Sequence, residues 1–166
     1  MKIPFGDIDP SIAEHIRWVQ MHRDPELWHA VVMAIVNSYG TDSLEFSPWV
    51  FAQPETDRST AGYFFLGLAG PSFLKTGNYP YKGGECLSEE AFLLAVAALK
   101  MKCLSGGFEH DNIGLPMSDE HRTACLELFN KGEVMGENLP FVNMLAQPFP
   151  AARITAYEVE DGLVYN

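Results

Sequence analysis

Five histidines and three cysteines are the side chains best suited to hold a metal or to act as base and nucleophile. His15, His22, His29, His110 and His121 are dispersed along the chain, as are Cys86, Cys103 and Cys125, and neither C-x-x-C nor H-x-x-x-H spacing occurs. Zinc ligands are usually brought together by such short spacings. The pattern predicts neither a metal nor any other cofactor. The densest ligand-like group is Glu109-His110-Asp111, between Gly106-Gly107 and Asn112, and it reads as a solvated loop. Cys86 follows Gly83-Gly84-Glu85 and precedes a helical pattern, where a helix N-terminus lowers a thiol pKa. With a base such as His110 or His121 it would serve a small enzyme. No G-x-S-x-G elbow occurs. Glu89 and Glu90 are neighbours that point to different sides of a helix. They read as charges complementing a helix start, not as a glycosidase pair.

The stretch PETDRSTAGYFFLGLAG, residues 54–70, has the glycines and hydroxyls of a phosphate loop. A Walker loop needs Gly, four residues, then Gly-Lys-Ser/Thr. Gly62 and Gly67 have that interval, but Leu68-Ala69 follows, and Lys75-Thr76 is preceded by Leu74 where Gly is needed. Four large apolar side chains, Tyr63 to Leu66, fill the interval where amides would meet an anion. The stretch predicts a buried central helix instead, capped by Thr56 or Asp57, with Arg58 on its first turn available to an acid. Gly62 and Gly67 each cost about 1 kcal/mol in a helix, which suits a close crossing by another helix.

Charge narrows the function classes. Lys and Arg number 11 against 22 Asp and Glu, a formal charge of −11. From residue 103 onward ten acids face three bases. Nucleic-acid backbone binding needs a basic stripe, and anionic membranes repel such a surface. A basic protein partner is the electrostatic match. No apolar run reaches the ~18 residues of a spanning helix, and no secretory leader is visible at the start. Three unpaired cysteines suit a reducing cytoplasm.

The elements that must position these residues are mostly helical. The 166 residues predict one globular domain, residues 1–166: a mainly α bundle of about six helices with a C-terminal β-hairpin. Asp9-Pro10 and Asp24-Pro25 each predict a capped helix start. A shorter helix is expected within 41–53. Residues 71–86, rich in Gly, Pro and Tyr, read as an ordered loop. Leu87-Ser88 opens a long helix that runs to Gly106-Gly107, and Ser118 is expected to cap another that Gly132 stops. One more short helix is expected within 134–146, interrupted near Pro140. Asp161-Gly162 between two strand-like runs is a hairpin turn, which must pack on the helices or on a partner.

Residues 26–70 resemble an uncharacterised bacterial helical domain family. The resemblance rests on Leu27, His29, Asn37, Asp42, Pro54, Asp57, Thr60 and Ala61, with Ser59 where that family has Gly. It implies a small helical domain of the kind found near toxin–immunity systems. The expected function is a non-catalytic acidic module that binds a basic protein, such as a cognate toxin, in the cytoplasm. Expected contact residues are Tyr79 and Tyr81 in the Gly/Pro loop, Glu109, His110 and Asp111, and the hairpin acids Glu158, Glu160 and Asp161. The alternative is a small enzyme using Cys86 or a histidine of the 83–121 region.

Overall fold

The computed structural model describes residues 1–37, 45–81 and 87–166. Among them eight α-helices follow in chain order: α1 (Ala13–Gln20), α2 (Pro25–Asn37), α3 (Phe46–Ala52), α4 (Arg58–Leu68), α5 (Gly70–Thr76), α6 (Glu89–Leu104), α7 (Glu120–Asn130) and α8 (Leu139–Leu145). A 3-10 turn at Gly136–Asn138 leads into α8, and strands β1 (Glu158–Glu160) and β2 (Leu163–Tyr165) form an antiparallel hairpin. The protein is mainly α with a C-terminal hairpin, as the sequence predicts.

The 54–70 stretch forms the centre. Every residue of α4 except Gly67 is buried. Phe64 meets Phe51 of α3 edge-on at 5.2 Å and stacks on Phe92 of α6 at 6.0 Å. Phe65 meets Phe141 of α8 at 4.9 Å and Phe73 of α5 at 6.2 Å. Two adjacent rings thus tie α4 to four other helices. Gly67 is small because α2 crosses there: a Cβ would lie 2.8 Å from Val36 Cγ1. Gly62 serves a different neighbour, since its Cβ would lie 2.4 Å from the ring of Phe149, in the segment after α8.

Local capping explains most helix starts. The Asp24 carboxylate accepts from the amides of Glu26 and Leu27, with Pro25 as the first helical residue. Asp57 accepts from Ser59 N at 2.9 Å, and Ser88 accepts from Ala91 N at 3.1 Å. At the end of α6, Gly107 N donates to Lys102 O at 3.0 Å, a glycine-terminated cap.

Four local expectations are corrected. Asp9-Pro10 does not open α1. The Asp9 carboxylate is taken by the amide and hydroxyl of Ser11, and α1 begins at Ala13 behind an uncapped Ile12. Ser118 does not cap α7, which begins at Glu120 behind Asp119, whose carboxylate is held by Arg122. Residues 71–76, the first part of the expected 71–86 loop, are helical as part of α5, because Pro71 sits in the first turn and Phe73 and Leu74 are buried together. Pro140 lies at the start of α8 and does not interrupt it. Asp42, Gly83, Gly84 and Cys86 lie outside the described residues, and so does Gly40, where the helix begun at Asp24-Pro25 is expected from the sequence to stop.

The hairpin turns through Asp161 (φ 50°) and Gly162 (φ 76°), both left-handed as a two-residue turn requires. Its register places Glu158 opposite Tyr165, Val159 opposite Val164 and Glu160 opposite Leu163. Both strands pack on α2. Ile8 joins the sheet edge, exchanging two backbone hydrogen bonds of 2.8 and 2.9 Å with Val164.

Candidate functional site

The first turn of α4 gathers the largest group of buried polar side chains. One Asp57 oxygen caps the helix, and the other accepts from Asn112 N at 2.6 Å and Ile113 N at 3.3 Å. Ser59 Oγ accepts from Gly114 N at 2.8 Å, and Arg58 N donates to His110 O at 2.8 Å. The 110–114 loop is therefore docked onto α4 through its backbone. Gly114 is required there: its φ is +83°, and a Cβ would lie 2.3 Å from Ala151 O.

Arg58 extends the clasp. Its guanidinium donates to the carbonyls of Met144, Gln147 and Pro148 at 2.8–2.9 Å and to Asp111 at 2.9 Å. It also lies 4.0 Å over the Phe149 ring. Arg122 donates to Leu145 O at 3.0 Å while Asp119 holds its other nitrogens. Two guanidinium groups thus satisfy the last carbonyls of α8, where the helix dipole is negative. Asp57, Arg58 and Ser59 are structural in this arrangement.

His29 is the buried titratable group nearest this clasp. Its Nδ1 lies 3.0 Å from Thr60 Oγ1, and only 5% of the residue is exposed. Burial lowers its pKa from 6.5 to about 4, against the opposing pull of Asp57, so the ring is neutral at pH 7. A neutral imidazole donates to or accepts from that hydroxyl according to its tautomer. His29 lines a cleft of about 260 Å³ with Met33, Ile113, Thr155, Tyr157 and Val159. A ring with so low a pKa is a poor general base near pH 7.

Nucleophile chemistry finds little support. Burial pushes the Cys103 thiol up to about 11 and the Cys125 thiol up to about 12, so both stay protonated at neutral pH. Cys86 lies outside the described residues, and His110 and His121 are exposed. Among the described residues no three of His, Cys, Asp and Glu are placed to hold a metal. No helix there is long and apolar enough to cross a membrane.

The expected contact residues separate into three groups. Tyr79 is buried: its hydroxyl donates to Leu87 O at 2.6 Å and its ring stacks on Phe92 at 4.3 Å. It fixes the loop to the core and offers no contact surface, whereas Tyr81 beside it is exposed. Glu109, His110 and Asp111 are exposed, but Asp111 is neutralised by Arg58 and the backbone following Glu109 is pinned to α4. Gly106 and Gly107 follow the end of α6, and Gly107 N closes its last turn.

The hairpin acids are differently placed. Glu158 and Glu160 alternate with Val159 and share the outer face with Leu163 and Tyr165, while Asp161 occupies the turn. The phenol pKa of Tyr165 is raised by desolvation and by the carboxylates of Asp7, Glu160 and Asp161, which identifies these as one cluster. Among the described residues none of Asp7, Glu158, Glu160 and Asp161 forms an ion pair. Sequence reasoning misses Asp7, because only the Ile8–Val164 pairing carries it to the hairpin.

Fold and surface together define a mainly α protein with a buried arginine clasp and an acidic hairpin face whose carboxylates form no ion pair among the described residues. Comparison of the chain with protein-family models, with curated proteins and with solved structures finds no match.

Proposed function

We propose that this protein is a non-catalytic, acidic protein-binding module of the immunity type, which neutralises a basic toxin by direct binding in the bacterial cytoplasm. The observation that supports it best is the hairpin face, where Glu158 lies opposite Tyr165, the carboxylates of Asp7, Glu160 and Asp161 act on its phenol, and none of the four acids forms an ion pair among the described residues. Complementary charge accelerates encounter and fixes orientation, while an aromatic side chain among the charges supplies contact area. The net charge of −11 favours a basic protein over nucleic acid as the partner. Tyr81 and Glu109 are secondary contacts in this reading.

Affinity capture from the native bacterium, with the neighbouring gene product as bait, tests it. The expected result is a one-to-one complex with a basic protein. Its association should slow as salt rises and the Debye length contracts from about 10 Å at 0.1 M to about 3 Å at 1 M. Glu158→Lys with Glu160→Lys should lower the on-rate without altering thermal unfolding. An on-rate indifferent to both salt and the double reversal overturns the reading. A single hyper-reactive thiol mapping to Cys86 would instead favour the small-enzyme alternative.

A further inference from the structure

His29 is buried with one of its two ring nitrogens unspent. Nδ1 shares a hydrogen bond with the Thr60 hydroxyl, and the ring meets Tyr63 edge-on with centroids 6.3 Å apart. Nε2 has no hydrogen-bond partner among the described residues. It is not sealed from solvent, because the Ser47 hydroxyl is the one buried side-chain polar atom among them that meets neither partner nor solvent. With 5% of the residue exposed, Nε2 opens into the cleft of about 260 Å³ that His29 lines. Buried polar atoms are nearly always paired, and one held toward an apolar cleft is where a ligand is anchored.

The rest of the lining fixes the chemistry of the occupant. Ala30 and Met33 of α2, Ile113 and Pro116 of the docked loop, and Val159 of β1 give apolar walls. The other polar side chains inside are spent. Thr155 Oγ1 donates to Tyr157 O at 3.1 Å and accepts from Tyr157 N at 3.3 Å. The Tyr157 hydroxyl donates to Asp24 at 2.6 Å, and the Arg153 guanidinium is paired with Glu26. A charged ligand would lose hydration against these walls and find no unspent counter-charge beside a neutral imidazole. Ile154, at the rim, is 99% exposed and offers apolar surface for an occupant to cover.

The free nitrogen narrows the class further. Because Nδ1 faces a hydroxyl, either tautomer satisfies it, and Nε2 presents a lone pair in one and an N–H in the other. A ligand hydroxyl answers both, whereas a carbonyl or an N–H answers only one. An apolar cavity of about 150 Å³ holds benzene. The cleft therefore takes one ring, or an aliphatic body of similar size, with a small substituent. We propose that it is a binding site for a small, uncharged alcohol or phenol, with its apolar body against Met33, Ile113 and Val159 and its hydroxyl hydrogen-bonded to His29 Nε2. The contact uses no hairpin carboxylate, so it goes beyond the toxin-binding reading and stands or falls apart from it.

The full chain, isotopically labelled at methyl groups and histidine nitrogens, is titrated by NMR with 4-methylphenol. Toluene, which lacks the hydroxyl, and the charged 4-methylbenzoate and 4-methylbenzylamine are titrated in parallel. The expected result is saturable shifts of the Ile113 and Val159 methyls and of His29 Nε2 with 4-methylphenol. The dissociation constant should be about 1 mM or below, as a ligand of this size allows. Toluene should bind at least about tenfold more weakly, since it leaves Nε2 unpaired, and neither ion should bind there. Ala152→Trp, at an exposed position of the lining, should abolish the shifts and leave the thermal unfolding curve in place. No saturable shift at these residues with 4-methylphenol, which would leave Nε2 to water alone, overturns the inference. So does toluene binding equally well, either ion binding more tightly, or shifts that persist unchanged in Ala152→Trp.

Discussion

Arg58 shows how differently one side chain and its partner bear on stability. Its guanidinium serves three carbonyls and one carboxylate while 9% of the residue is exposed. Arg58→Met leaves the carbonyls of Met144, Gln147 and Pro148 short of a donor and should cost about 3 kcal/mol or more in denaturant unfolding. Asp111→Asn removes only a partly exposed partner and should cost under about 1 kcal/mol. Equal losses in the two variants would mean that the ion pair, not the carbonyl clasp, matters. His29 gives a pH signature. Its folded pKa, about 4, lies below the unfolded value of 6.5. The unfolded chain therefore binds the proton more readily between those values, and stability is full above 6.5 and falls as pH drops toward 4. The contribution is about 3 kcal/mol. His29→Gln should flatten that part of the stability–pH curve, and a proton-NMR titration of the ring should show a midpoint far below 6.5. The sequence makes the Asp57 cap legible because cap and amide are two residues apart. It does not reveal Asn112 or Met144 as partners, because that proximity exists only after the chain has folded back.

At the level of elements, the aromatic run of α4 should dominate the core. Phe64→Ala and Phe65→Ala should each cost about 3–5 kcal/mol in calorimetric or denaturant unfolding. Near-neutral values for both would place the run at the surface. Gly114→Ala, at a positive φ and with backbone where the methyl must go, should destabilise by more than a loop substitution ordinarily does. Helix legibility follows the same logic of range. Asp24-Pro25 starts a helix because the Asp24 carboxylate is free to reach Leu27 N. The identical Asp9-Pro10 does not, because Ser11 takes the carboxylate and His15 Nδ1 accepts from Asp9 N. The α5 segment looks like a loop in composition. Gly70 at φ +58° breaks the chain away from α4, and Pro71 is compatible with a first helical turn. What makes it helical is the burial of Phe73 and Leu74 against neighbours remote in sequence. The hairpin, in contrast, is written locally in Asp161-Gly162.

Across the whole molecule, the pairing of Ile8 with Val164 joins segments from opposite ends of the sequence. Closing so long a loop costs entropy before any contact repays it, so this junction is expected to form late in folding. By the same reasoning it is the seam that opens first under native conditions. The amides of Ile8 and Val164, each bonded to the other's carbonyl, should exchange with deuterium at matched rates, and both faster than those of Phe64 and Phe65. Slower exchange at the seam than in α4 would overturn this order. Since Asp7 precedes Ile8 and Tyr165 follows Val164, each such opening disperses the carboxylate cluster. A partner bound to the acidic face should therefore slow exchange at both ends of the chain together.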